Sequence, residues 1–581
     1  MNPVNQAQMK EFAEAFDLTK KSESDQFELY SIYSVVNGGS GENIDPFGAH
    51  LVGTEFGLDG VAIIVQGNLV TNVDEAAAAI ADIKNPQIDF YFFQSKTSSS
   101  FDYGEIGKFF DSIKEFFGTG LGGESDQLDD LINAKDHIYQ HGVKRNNPGI
   151  FCFYACNGNY EKQSRIERLI ENTKNDLSEK NIFDENRVEI SLLGAAHLQR
   201  LYRAAVTATE VTIEFDRNIV LPSHSSVDEG YIGYIPASEL LKIISITDDN
   251  GEITGINKSV FFDNIRDYNP NSKINKEILS SLKNGEHGNF VYRNNGITVV
   301  AKSVDRTGNN FTIEDFQIVN GCQTSNVIFH SKNNIEGVYV PLRLIGAKDE
   351  AFIFSIISGT NKQNPVRDEQ FWSLLPFMKN LEEFARSVQA GKRIYLERRE
   401  NQYRNEAVER ASIVQMQPFF KAVTACLLGL PHRAARNYKA EIGDQVEALF
   451  DENDDVRPAY ATAYLHYRLE FMWRNQKIAA STKIYRFYII DAVTRNVLGK
   501  ASFLNLNKKQ KMKFADELVK LAADEDEVSK IVENVQKSLD KHLKTLGAAD
   551  AREKLRDTIR SDSFFQGVRD SYIPKKSILG L

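Results

Sequence analysis

No paired-cysteine pattern runs through this chain. Its four cysteines, Cys152, Cys156, Cys322 and Cys426, are scattered over 581 residues. Cys152 and Cys156 stand in C-x₃-C spacing within an apolar run, with no second cysteine pair, which argues against a structural zinc and leaves reduced core thiols. The ten histidines include one H-x₃-H pair, His137 and His141, but no H-E-x-x-H arrangement, so a zinc hydrolase is not expected. A Walker-type loop is missing too: Gly38-Gly39-Ser40-Gly41 lacks the Gly-Lys-Ser/Thr that would follow it and reads as a flexible loop. There is no signal peptide, no internal repeat and no apolar run of membrane-spanning length, and a cytoplasmic protein without membrane contact is expected. Nor is there an excess of positive charge. With 69 Lys and Arg against 80 Asp and Glu the net charge is −11, so a nucleic-acid role has to rest on local basic patches.

What is there is ordinary globular material, 42% apolar and 26% charged, long enough for three to four domains. In the first third, Asp59 opens the apolar strand Gly60–Val65, which turns at Gly67-Asn68. An alanine-rich helix or insertion, 74–84, precedes a second strand running from Ile88 to Phe93 and ending in Gln94-Ser95-Lys96. Positions i and i+2 of a strand share a face, so Gln94 and Lys96 project together, and Asp59 joins them if the strands are neighbours. A carboxylate, a neutral oxygen donor and an ammonium at one point suit metal-assisted phosphodiester hydrolysis. An amphipathic helix is expected over 26–36, ended by the glycine-rich stretch 37–41, with another at 103–117, a buried strand at 149–155, a polar helix near 160–178 and a strand-helix pair at 188–205.

This order resembles the PD-(D/E)xK restriction-endonuclease-like core over roughly residues 20–205, in its Mrr-type variant with Gln-x-Lys in place of Glu-x-Lys. The resemblance implies Asp59 and Gln94 as ligands of Mg²⁺ (or Mn²⁺), Lys96 as catalytic lysine and Glu28 as the helix glutamate. Because Gln94 brings no charge, metal affinity would depend on Glu28, another acid such as Glu55, or the scissile phosphate. A turn cap at Asp59 and a solvated strand-end lysine at Lys96 are the plain structural alternative.

The middle third carries a different set of blocks: Asn294-Asn295-Gly296-Ile297-Thr298, with an aromatic strand before it and an apolar strand after; Ile318-Val319-Asn320-Gly321-Cys322-Gln323-Thr324, a strand feeding a helix; residues 360–366 around Asn361; and Ile394–Tyr403. In this order they look like the AIPR (abortive infection phage resistance) family, which implies anti-phage defence. The block at Asn320 is more distantly similar to ParB-like nucleotide-binding turns but lacks their histidine and arginine. Asn294, Asn295, Asn320, Gln323, Thr324 and Asn361 are candidate ligand contacts, although asparagines in tight turns also serve the backbone alone. Arg393, Arg398 and Arg399, with Tyr395 and Tyr403 interleaved, suit phosphate tracking and base stacking; an exposed helix with glutamate-paired arginines is the alternative. Residues beyond 410 read as helical.

The expected architecture is a multidomain α/β (α+β) chain: a restriction-endonuclease-like unit at 1–205, a central α+β AIPR domain at 206–410 and a mostly helical domain at 411–581. The expected activity is Mg²⁺-dependent endonucleolytic cleavage of DNA (or RNA) in phage defence, under control of the central domain. A non-catalytic nucleic-acid- or nucleotide-binding sensor is the alternative. A homodimer or a defence-operon partner fits either.

Overall fold

The computed structural model describes residues 3–580 apart from 41, 54–56, 82, 84, 119–122, 124, 145, 208, 248–252, 258–259, 262–278, 281, 283, 286, 350–351, 354, 357–358, 360–367, 400, 405 and 548–551. Asn361, Glu55 and the whole 360–366 block thus lie outside the described residues.

The first unit is a five-stranded mixed sheet between two helical layers. Its elements are α1 (Pro3–Ala15), α2 (Glu23–Tyr33), β1 (Gly60–Val65), β2 (Asn68–Val70), α3 (Val73–Ile80), β3 (Ile88–Lys96), α4 (Tyr103–Phe116), α5 (Asp126–His141), β4 (Gly149–Cys156), α6 (Ser164–Glu179), β5 (Val188–Leu193) and α7 (Ala195–Val206). The strand order is β2-β1-β3-β4-β5; β1 is antiparallel to β3, and β3, β4 and β5 are parallel. Both faces are covered, so the strands read as continuous apolar runs. Pleating sorts their side chains: Phe90 and Phe92 pack with Phe109 and Ile113 of α4, while Tyr91 and Phe93 pack with Phe27 and Tyr30 of α2 and Phe12 of α1. All four cysteines are free and buried.

Gly38 and Gly39 of the expected flexible loop are not loop residues. After α2 the chain continues as a π-helical turn, Ser34–Gly39, with Asn37 and Gly38 buried. A Cβ on Gly38 would lie 1.9 Å from the Leu201 carbonyl oxygen, so only glycine lets this turn seat against α7. Gly38→Ala is expected to cost about 1–3 kcal/mol through forced backbone displacement, read as a lowered denaturation midpoint.

The second unit is a six-stranded sheet of β6 (Glu210–Glu214), β7 (Arg217–Val220), β8 (Glu229–Pro236), β9 (Ile297–Thr307), β10 (Asn310–Asn320) and β11 (Tyr339–Gly346), in the order β6-β10-β9-β11-β8-β7. Helices α8 (Ala237–Ile244) and α9 (Cys322–His330) pack on it. Only the β9–β11 pair is parallel. Phe290–Arg293, expected as an aromatic strand, is a single helical turn. The Asn295-Gly296 dipeptide is therefore a helix-to-strand connection and not a hairpin. The Asn294 side chain accepts from the Gly296 N–H at 2.8 Å, and Gly296 takes φ 77°, which aims β9 into its parallel pairing with β11.

The third unit is helical: α10 (Pro376–Ser387), α11 (Met416–Cys426), α12 (Arg457–Arg474), α13 (Arg486–Leu498), α14 (Lys508–Ala523), α15 (Glu525–Thr545), α16 (Arg552–Ile559) and α17 (Asp562–Tyr572), with the small parallel pair β12 (Tyr395–Glu397) and β13 (Ile413–Gln415). One apolar core runs from Trp372 to Tyr572, so this unit begins well before the boundary at 410 drawn from the sequence. No helix among the described residues is long and apolar enough to cross a membrane.

Candidate functional site

The register of the first sheet sets the site. Gly60 pairs with Phe93, and the Asp59 N–H donates to the Phe93 carbonyl at 2.8 Å, so Asp59 lies opposite the next residue of β3, Gln94. One Asp59 carboxylate oxygen accepts from Gln94 Nε2 at 2.8 Å and from the Ser95 N–H at 2.6 Å. On the other side of Asp59 runs a segment that sequence reasoning missed. His50 bridges Gly60, and the Leu51 N–H donates to the Asp59 carbonyl at 2.9 Å. The His50 ring meets Glu28 of α2 at 2.8 Å, and Ser22 caps that helix by accepting from the Asp25 N–H. Asp25, one turn before Glu28 and on the same helix face, completes a group with Glu28 and His50 whose ligand atoms lie within 4.8 Å of one another. The i, i+3 carboxylates were visible in the sequence. His50 carried no local signal, because only the fold brings it there.

Burial, and next the Glu28 carboxylate, push Asp59 up to about 7, against the Ser95 N–H and the charges of Lys96 and His50. Gln94 is 3% exposed, and its Oε1 accepts no hydrogen bond among the described residues. A buried amide oxygen without a donor is costly, and so is a desolvated carboxylate beside another acid. Both would be relieved by a cation. Asp59, Gln94 and Glu28 supply the hard oxygens that Mg²⁺ prefers, and the imidazole of His50 also suits Mn²⁺. Lys96 is partly exposed and sits 3.4 Å from Glu105, which also holds Lys108 at 2.9 Å. Of the four residues named from the sequence, Asp59 and Gln94 are in direct contact, while Glu28, held by His50, and Lys96, held by Glu105, bear on Asp59 through their charges.

The second set is dispersed. Asn294 and Thr324 meet, with the Thr324 hydroxyl donating to Asn294 Oδ1 at 3.0 Å, while Asn295 and Gln323 are exposed and Asn320 ends β10. Gly321, at φ 103°, makes the turn into α9; a Cβ there would meet Ile297 at 2.4 Å. The basic segment is neither a phosphate track nor an exposed helix. It is β12 followed by turns, and its arginines diverge. Arg398 is buried, its Nε donating to Glu382 at 2.6 Å and its Nη1 to the Ser373 carbonyl at 3.2 Å, so it is a structural residue and not a nucleic-acid contact. Buried Arg404 donates to the Asn37 carbonyl of the first unit at 3.3 Å, and Glu397 accepts from Asn43 at 2.7 Å. Arg393 and Arg399 stay exposed, and Arg393 Nε donates to the Val388 carbonyl at 2.9 Å.

These features describe a mixed α/β protein with two mixed sheets and a helical C-terminal region. Residues 261–545 match the family model described as AIPR protein, across β9, β10 and β11 of the central sheet and most of the helical unit. The chain therefore carries an AIPR-family domain at 261–545, and that family is associated with abortive-infection phage resistance. The N-terminal unit has no family match. No curated protein and no solved structure matches the chain.

Proposed function

We propose that the N-terminal unit is a metal-dependent nuclease of a phage-defence protein, acting on DNA and controlled by the AIPR domain packed against it. The observation that supports this reading is the contact of Asp59 with Gln94 where β1 begins and β3 ends, under the charges of Glu28 and Lys96, with an orphaned buried amide oxygen and a carboxylate burdened by desolvation. Asp59, Gln94 and Glu28 would hold the metal, which when bound polarises the phosphate and lowers the pKa of water. The chain's own groups do the rest. Lys96, steadied by Glu105, offers positive charge to the phosphoryl oxygens. His50, against Glu28, fixes the direction of that carboxylate and is placed to take or return a proton. The rigid strand ends keep these groups in register.

The test is incubation of purified protein with supercoiled and linear DNA, and separately with single-stranded RNA, in Mg²⁺, Mn²⁺ or EDTA, beside Lys96→Ala. Cleavage that needs metal and falls by about 10²–10³-fold in Lys96→Ala is expected. One observation favours a binding-only reading: Gln94 turns its amide N–H₂ toward Asp59, where a glutamate would add charge. Metal-independent DNA binding without cleavage on any substrate would establish that reading and end the nuclease proposal.

A further inference from the structure

A cavity of about 60 Å³ lies away from the Asp59 site, where α3 of the first unit meets the helical unit. Four segments far apart in sequence build it: the start of α3, the α11 region, the start of α13, and the end of α16 with Arg560 just beyond. Five basic side chains line it, Lys421, Lys483, Arg486, Arg556 and Arg560, against two acids, Asp74 and Glu75. At about 10–15 Å³ per water, it has room for roughly four waters, the space of one tetrahedral oxyanion.

The acids do not use up the bases. Asp74 is 4% exposed and draws Arg436 at 2.7 Å, Arg556 at 3.5 Å and Arg560. Arg556 also meets Asp130 at 2.6 Å. Glu75 is held by the Thr71 N–H and hydroxyl, at 2.9 and 2.8 Å. Glu470 takes Arg486 at 2.9 Å and Lys483 at 3.6 Å. Lys421 is the remainder. It is 8% exposed, lines the cavity, and makes no hydrogen bond and no ion pair within 4 Å among the described residues. Its ammonium lies 5.6 Å from the Tyr438 ring and feels the charges of Glu75 and Glu369 without a direct contact to either. The Nδ1 of His432, another lining residue, likewise has no hydrogen-bond partner among the described residues. A buried ammonium facing a polar void is expensive to keep empty-handed.

We propose that this cavity binds one phosphoryl group of a small anionic ligand, with Lys421 as its central donor and Lys483, Arg486 and Arg560 around it. Asp74 then competes with the ligand for Arg556 and Arg560, so occupancy bears directly on the joint between the first unit and the helical unit. The shared chemistry is a phosphoryl group, which either free (pyro)phosphate or a nucleotide brings.

Titration calorimetry of the full chain with inorganic phosphate, pyrophosphate and ATP tests it, in parallel on wild type, Lys421→Met and Lys483→Ala. Saturable binding of at least one probe is expected, about tenfold weaker or worse in Lys421→Met, the loss of one charge-assisted hydrogen bond. Binding of ATP but not pyrophosphate would assign a nucleotide, and the reverse a free phosphate. Lys483→Ala changes an exposed side chain, so a weakened affinity there reports on the site even if Lys421→Met misfolds. No saturable binding of any probe to wild type, or undiminished binding by folded Lys421→Met, overturns the proposal.

Discussion

Asp59→Asn is expected to abolish metal-dependent cleavage and at the same time raise the melting temperature of the metal-free protein. The two effects share one cause. Burial and the neighbouring Glu28 hold Asp59 up to about 7 from an ordinary value of 3.8, so the folded state keeps a proton there that the unfolded chain has lost. The contribution of Asp59 to stability is intact below about pH 4 and drains away as pH rises toward 7. Asparagine never ionises, so its advantage over aspartate grows across that window and is constant above it, reaching about 1–3 kcal/mol after allowance for the partial exposure of the group. Scanning calorimetry from pH 4 to 8 reads it as a gap that widens with pH. Added Mg²⁺ or Mn²⁺ should close the gap from the wild-type side, because only the ionised carboxylate binds metal, and apparent metal affinity should climb with pH up to about 7. A gap independent of pH would contradict this account of Asp59. Metal that stabilises both proteins alike would remove Asp59 from the metal site.

The second large effect falls on a residue that the sequence placed among nucleic-acid contacts. Arg398→Ala should destabilise the helical unit by about 3 kcal/mol, because it leaves buried Glu382 with only the more distant Arg386 as a charge partner. Glu382 would keep the partly exposed Arg386 guanidinium at 3.8 Å, a weaker substitute, and the dipoles of the Gln402 amide and the Tyr403 hydroxyl, at 2.5 and 3.3 Å. The double variant Arg398→Met/Glu382→Leu should recover much of the loss, since an apolar pair of similar volume carries no desolvation cost. Denaturant titration measures all three proteins. Arg393→Ala and Arg399→Ala, both exposed, should leave the midpoint within about 0.5 kcal/mol of wild type. A loss below 1 kcal/mol for Arg398→Ala would mean that the pair is not closed in solution.

What could be read in the sequence divides along a physical line. The helix at 103–116 announces itself through local periodicity, because it buries one defined face, and the strands at 60–65, 88–96 and 149–156 through apolar runs, because both faces of their sheet are covered. Asp59, Gln94 and Lys96 were legible as a group because strand pleating and one register suffice to bring them together. The rest depends on contacts between distant segments. Phe290–Arg293 has strand-forming residues, but Asn294 and the parallel partner of β9 impose a helical turn. The glycines at 38 and 39 suggested looseness, whereas at Gly38 the missing side chain is what allows tight seating. In the arginine-rich segment, composition gave charge but not direction, and Arg398 and Arg404 point inward. His50 entered the site through an isolated bridge that no local pattern encodes.

The joint between the first and helical units has an implication for exchange of parts. Two of the three guanidiniums that grip Asp74, those of Arg556 and Arg560, come after residue 545, where the family match ends. Arg556 also grips Asp130 on α5. The fastening between the AIPR domain and its N-terminal companion is thus written partly in a C-terminal appendix, outside the family domain. A chimera that gives this AIPR domain a different N-terminal unit would have to bring a matching tail for residues 552–572. One that replaces the head alone strands two arginines against a surface with no acid to receive them.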